Sequence, residues 1–167
     1  MMPQVPEFSR PIEVARVCPQ GSTESITADA KECVALAARL QLPAVHAVRA
    51  KLHMKPWRGG GFKVKGEVKA DITQVSVVSL EEFRSDVTFD VERYFLPHVN
   101  AESDEEIDAI SDGIIDIGEV VAETMGIELD PYPRKPGESF QSGPDAEEER
   151  PAAKISPFAI LKKNGDA

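Results

Sequence analysis

Few residues of this chain have the types and spacing that bond-making chemistry demands. The histidines, His46, His53 and His98, include no H-x-x-x-H pair that would place two imidazoles on one helix face for a metal. Cys18 and Cys33 are the only cysteines, too few for a disulfide framework and wrongly spaced for a paired zinc motif, so both are expected as reduced thiols. No G-x-S-x-G elbow supplies a nucleophile, and the triplet Gly59-Gly60-Gly61 lacks the lysine and the strand-to-helix setting of a phosphate-binding loop. Glu119 and Glu123 stand one helical turn apart, but a helix cap and a solvent-facing carboxylate account for them. The expectation is binding without catalysis, with no metal and no cofactor.

One cluster does have a chemistry. Between Ala44 and Ala70, Arg49, Lys51, Lys55, Arg58, Lys63, Lys65 and Lys69 face the single acid Glu67, a net +6 in a chain whose total is -10. From Asp71 to Asp130, seventeen Asp and Glu stand against Arg84 and Arg93, a net -15. Because charges more than about 10 Å apart are largely screened at about 0.1 M salt, a polyanion can be drawn to the first stretch despite the overall charge. Lysine and arginine at these positions suit contacts to RNA phosphates, with Trp57 placed to stack on an unpaired base. The plain alternative is a solvated sheet face whose cations discourage aggregation, with Trp57 pinning a flexible glycine turn.

The elements that must present these residues are legible from periodicity. Arg10 to Val17 reads as a strand followed by a loop, Cys18 to Ser25. Cys33, Leu36, Ala37 and Leu40 recur at helical spacing, and Asp29 with Glu32 forms a capping box, which predicts a helix over 29–40 stopped by Pro43. From Val45 the period becomes two: His46, Val48, Ala50, Leu52 and Met54 fall on one face, and Arg49, Lys51, His53 and Lys55 on the other. After the glycines, Phe62, Val64, Val68 and Ala70 alternate with Lys63, Lys65, Glu67 and Lys69, so a hairpin that buries its apolar side gathers the cations on its wet side. Further strands are predicted over 72–80 and along "SDVTFDVERYFLP", where Val87, Phe89, Val91, Arg93 and Phe95 share a face. The acidic stretch at about 100–112 reads as a mobile connector. A second D-x-x-E box, Asp116 with Glu119, starts a helix that Gly126 should end.

The result is an α+β class: an antiparallel sheet of about five strands, two packed helices and a flexible acidic C-terminal region. One domain spans 1–136, and 137–167 is a mostly disordered tail in which Ser156, Pro157, Phe158 and Leu161 describe a short helical docking motif over 156–163. Aromatics are only 6% of the chain, so the core must be largely aliphatic. No run approaches the roughly 20 apolar residues of a membrane span, and the N-terminus has no secretory pattern, which predicts a soluble cytoplasmic protein, a monomer by default.

Three separated stretches, "IDIGEVVAETMGIELDPYPRKPG", "ADITQVSVVSLEEF" and "SPFAILKK", resemble the YceD family of large ribosomal RNA subunit accumulation proteins, over about Arg10 to Lys163. The resemblance implies a bacterial cytoplasmic factor that supports accumulation or processing of large-subunit (23S) rRNA. Its partners would be that rRNA or its precursor, or a basic large-subunit ribosomal protein. Members often carry a cysteine where this chain has Ser76, and the serine undercuts any metal or redox role there while leaving the rest of the pattern intact. Tyr132, Arg134 and Lys135, between prolines, are candidates for a rigid extended contact to a partner, with Phe158 and Leu161. The alternative function is a protein-binding module whose acidic half captures a basic ribosomal protein without touching RNA.

Overall fold

The computed structural model describes residues 6–100 and 106–139. All the described elements lie in the unit that ends at Pro136. In chain order they are β1 (Pro11–Glu13), β2 (Ser22–Thr27), α1 (Ala30–Leu40), β3 (Ala44–Trp57), β4 (Gly61–Val75), β5 (Glu82–Leu96), β6 (Ile107–Ala109), β7 (Ile114–Asp116) and α2 (Ile117–Glu128). The main sheet runs β2-β3-β4-β5-β6, and β1 pairs with β7 in a separate two-stranded ladder. This is the α+β class that the periodicities predict.

Strict alternation drives the main sheet. Val48, Leu52 and Met54 of β3, Val64, Val68 and Ile72 of β4, and Val91 of β5 are buried against Leu36 of α1 and Val121 and Met125 of α2. Phe8, from the segment before β1, is also wholly buried and lies in the same cluster. Asp29 caps α1 as its spacing predicts: its carboxylate accepts from the Glu32 N–H at 2.8 Å, and Glu32 accepts from the Asp29 N–H at 2.8 Å. Arg10 then grips Glu32 through both guanidinium nitrogens, at 2.6 and 2.9 Å, which ties the chain before β1 to the start of α1.

The main sheet has five strands among the described residues, but they are not the five that the pattern marks. Residues 22–25, read as loop, belong to β2, whose only buried residue is Ile26, so a hydrophobic period is almost invisible there. The strand expected over 72–80 is not separate, because β4 continues without a break to Val75. Asp71 looks like an interruption but keeps the outward phase and pairs with Arg84 across β5. Residues 76–81 instead form a turn, with the Ser76 N–H donating to the Glu81 carbonyl at 2.9 Å and the Leu80 N–H to the Ser76 carbonyl at 2.9 Å.

The acidic connector is corrected at its far end. Ile107–Ala109 forms β6, which runs parallel to β5 with Ile107 opposite Tyr94, so the sheet is antiparallel except at this edge. Asp108 is held by Arg93 at 2.6 Å, which gives the acidic segment a partner that composition does not reveal. Of the predicted strand over 10–17, only Pro11–Glu13 is extended, and Val14–Arg16 turns as a short 3-10 segment. Gly126 does not end α2, which continues through Glu128 to a cap at Leu129. Asp116 caps that helix alone, accepting from the Gly118 and Glu119 N–H groups at 3.0 and 3.2 Å, while the Glu119 carboxylate turns to Arg39 of α1 at 2.9 Å. No helix among the described residues is long and apolar enough to cross a membrane.

Candidate nucleic-acid interface

Residues directly opposite each other in an antiparallel pair share a face, so register decides whether the cations meet. In β3 and β4, Arg49 lies opposite Lys69, Lys51 opposite Glu67, His53 opposite Lys65, and Lys55 opposite Lys63. All lie on the side away from the core, and all but the half-buried Lys63 are exposed. Six lysine and arginine side chains thus share two neighbouring columns with one acid. Trp57 and Arg58 close the columns at the hairpin tip, where Gly59 and Gly60 take the left-handed conformations, φ 67° and 74°, that the reversal requires.

His46 is the one residue of this hairpin that the simple alternation misplaces. A register shift between Val45 and Ala47 inserts an extra residue, so Val45 is buried and His46 is exposed, its Nε2 2.8 Å from the Thr73 hydroxyl. His53 remains on the outer face as expected, with Nδ1 2.9 Å from the hydroxyl of Thr23.

Not every cation is equally available. Lys63 is 3.0 Å from Glu92 and sits over the Tyr94 ring at 5.1 Å. Hydrogen bonding to Tyr94 and Glu92 raises the Lys63 ammonium above its ordinary value, while hydrogen bonds from Tyr94 and Lys63 hold the Glu92 carboxyl below the usual carboxylate range. Lys69 pairs with Glu67 at 3.0 Å. Arg49, Lys51, Lys55 and Lys65 form no salt bridge within 4.0 Å among the described residues, although Lys65 lies opposite Glu92 and helps to hold its carboxyl low. Trp57 is half-buried, its ring 4.7 Å from that of Tyr94 and tilted by 50°, and the Arg58 guanidinium lies 4.5 Å above it. These three form a cluster beside a cavity of about 520 Å³ that Glu92, Arg93 and Glu106 also line.

Sequence reasoning missed the columns on either side. On β5, Asp86, Asp90, Glu92 and Tyr94 face outward, opposite Asp71, Glu67, Lys65 and Lys63. On β2, Thr23, Ser25 and Thr27 face outward beside His53, Lys51 and Arg49. The alternation of Asp86, Asp90 and Glu92 with Val87, Phe89, Val91 and Arg93 was readable in the sequence, whereas β2 gave almost no signal.

The other candidates lie elsewhere. Tyr132, Arg134 and Lys135 follow α2, beside the turn that joins β4 to β5, where the Val77 N–H donates to the Pro133 carbonyl at 3.0 Å and Lys135 reaches Glu81 at 3.2 Å. That turn is at the end of β4 opposite to Trp57, roughly 45 Å away at the usual strand rise, so the two surfaces are distinct. Tyr132 is 71% exposed, and Leu80 in that turn is 77% exposed. Phe158 and Leu161 lie outside the described residues. Glu119 and Glu123 do not form a carboxylate pair: Glu119 binds Arg39, and Glu123 joins Asp108 on Arg93. Cys33 is buried in α1, where burial pushes its thiol up, and Cys18 is exposed. Among the described residues no cluster of His, Cys, Asp and Glu is arranged to hold a metal ion.

Compared with known proteins, the chain matches the family model described as large ribosomal RNA subunit accumulation protein YceD over residues 64–163. The match begins within β4, later than the Arg10 start read from the motifs; it includes Lys65 and Lys69 and leaves the β3 cations outside. No curated protein and no solved structure matches the chain.

Proposed function

Because the chain belongs to the YceD family, whose members are described as acting in large ribosomal RNA subunit accumulation, we propose that it serves that process by binding the large-subunit (23S) rRNA or its precursor on the outer face of β3 and β4. In this reading it works in the bacterial cytoplasm by binding, without catalysis. The carrying observation is the register: Lys55 faces Lys63 and Arg49 faces Lys69 directly across the ladder, and the single carboxylates that reach Lys63 and Lys69, Glu92 and Glu67, leave the two columns with an excess of positive charge. Like charges so placed disfavour a sheet pair, and a polyanion laid over them offsets the excess that the two carboxylates leave.

Lys55 and Lys65 test this best, since neither forms a salt bridge within 4.0 Å among the described residues and both point away from the core. Lys55→Glu with Lys65→Glu should abolish binding to 23S rRNA fragments in a filter or anisotropy assay, with an unchanged circular dichroism spectrum. Binding equal to the parent's would exclude this face.

A second reading, capture of a basic ribosomal protein, is favoured by a cleft of about 810 Å³ between β5, β6 and α2 in which Asp90, Glu92, Glu106, Asp108, Glu123 and Glu128 outnumber Arg39 and Arg93. It predicts a copurifying ribosomal protein that survives the double lysine variant and is lost on Glu106→Lys with Glu128→Lys.

A further inference from the structure

We propose that the outer face takes single-stranded rather than duplex RNA, its backbone laid along β3 and β4 and its bases meeting the Tyr94, Trp57 and Arg58 cluster. The inference rests on the RNA reading and specifies its ligand. Its basis is the arrangement of charge across the sheet.

Neighbouring strands lie about 4.8 Å apart, and outward residues on one strand recur about every 6.7 Å. The cations of β3 and β4 therefore form a band two columns wide and about 20 Å long from Arg49 to Lys55. That is a track for one phosphate row. On the β5 side the next column is Thr88, Asp90, Glu92 and Tyr94, with Asp90 opposite Glu67 and Glu92 opposite Lys65, and it continues past the end of the band to Asp86 opposite Asp71. On the β2 side the next column is neutral, Thr23, Ser25 and Thr27, with exposed hydroxyls that suit ribose or phosphate oxygens.

An A-form duplex presents two phosphate rows across a wide, shallow groove, and its bases are already stacked inside. Seating one row on the band brings the second toward either the acidic column, which repels it, or the neutral one, which offers no charge. A single strand has only one row to place. Its unpaired bases can also stack at the hairpin tip, where the exposed Arg58 guanidinium over Trp57 extends an aromatic surface.

The test uses the full chain and one labelled RNA of about a dozen nucleotides, presented alone and as a blunt duplex, followed by fluorescence anisotropy. The single strand should bind about tenfold more tightly, the worth of one base stacked on an aromatic surface. Asp86→Lys with Asp90→Lys, which turns two of the three acids of that column into cations, should raise duplex affinity more than single-strand affinity. If that variant melts earlier than the parent, Asp86→Asn with Asp90→Asn should show the same ordering at smaller size. Trp57 is the only tryptophan, so its emission should change on saturation with the single strand. A duplex bound as tightly as the single strand, or unchanged Trp57 emission at saturation, would overturn this inference and leave the RNA reading standing. Failure of both RNAs to bind would remove the RNA reading, and this inference with it.

Discussion

Individual side chains stabilise this protein mainly by joining segments distant in sequence. Arg10 and Glu32 are the clearest pair: the guanidinium bonds both carboxylate oxygens and also the Thr27 carbonyl at 3.0 Å. The hydrogen bond from Arg10 holds the Glu32 carboxyl below the usual range, against a smaller opposing effect of burial. A depressed carboxylate contributes stability that is present above the ordinary carboxylate range and is lost as pH falls through the lowered folded value. Glu32→Gln should therefore lower the urea midpoint at neutral pH, and the gap to the parent should close in strong acid. A gap that stays constant with pH would mean that the charge of Glu32 is not the source. The charged cluster of Arg93 with Asp108 and Glu123 joins β5, β6 and α2 in the same way. The alternation placed Arg93 on the core side, but neither partner could be named from spacing, because the contacts cross 15 and 30 residues.

The elements differ in how openly their sequence announces them. α1 combines a capping box with a helical period over 11 residues, and both survive in the fold. α2 hides a constraint at Gly118, where an added Cβ would lie 2.6 Å from the Phe8 carbonyl and 2.8 Å from the Arg10 N–H. Alanine in a helix is ordinarily favoured over glycine by about 1 kcal/mol. Here Gly118→Ala should instead destabilise, by roughly 2 kcal/mol, because backbone atoms must move apart. Denaturant titration checks the sign, and a stabilised variant would show that the segment before β1 yields freely. The bulge at Val45 and Ala47 and the short strand β2 were not legible, since each depends on a neighbouring strand for its phase.

At the scale of the molecule, the governing feature is charge separated into columns of one sheet. Affinity for RNA should fall linearly with salt on logarithmic axes, and the slope should shrink by about 0.7 for each phosphate-contacting cation removed from a single-strand complex. Lys65→Ala should show that change, and Lys63→Ala a smaller one, because Lys63 is already partly neutralised by Glu92. Equal slopes in the two variants would contradict the ranking of their availability.

The sequence alone determined that the cations of the hairpin share a face, because a period of two leaves no other placement once the apolar side is buried. It also determined the class of fold, the first helix and its cap. Only the tertiary structure decided which cations face one another, which already have an acid, and that a row of hydroxyls and a row of carboxylates bound the band. Those facts depend on register between strands, and register is set by pairing, bulges and turns that join residues far apart along the chain.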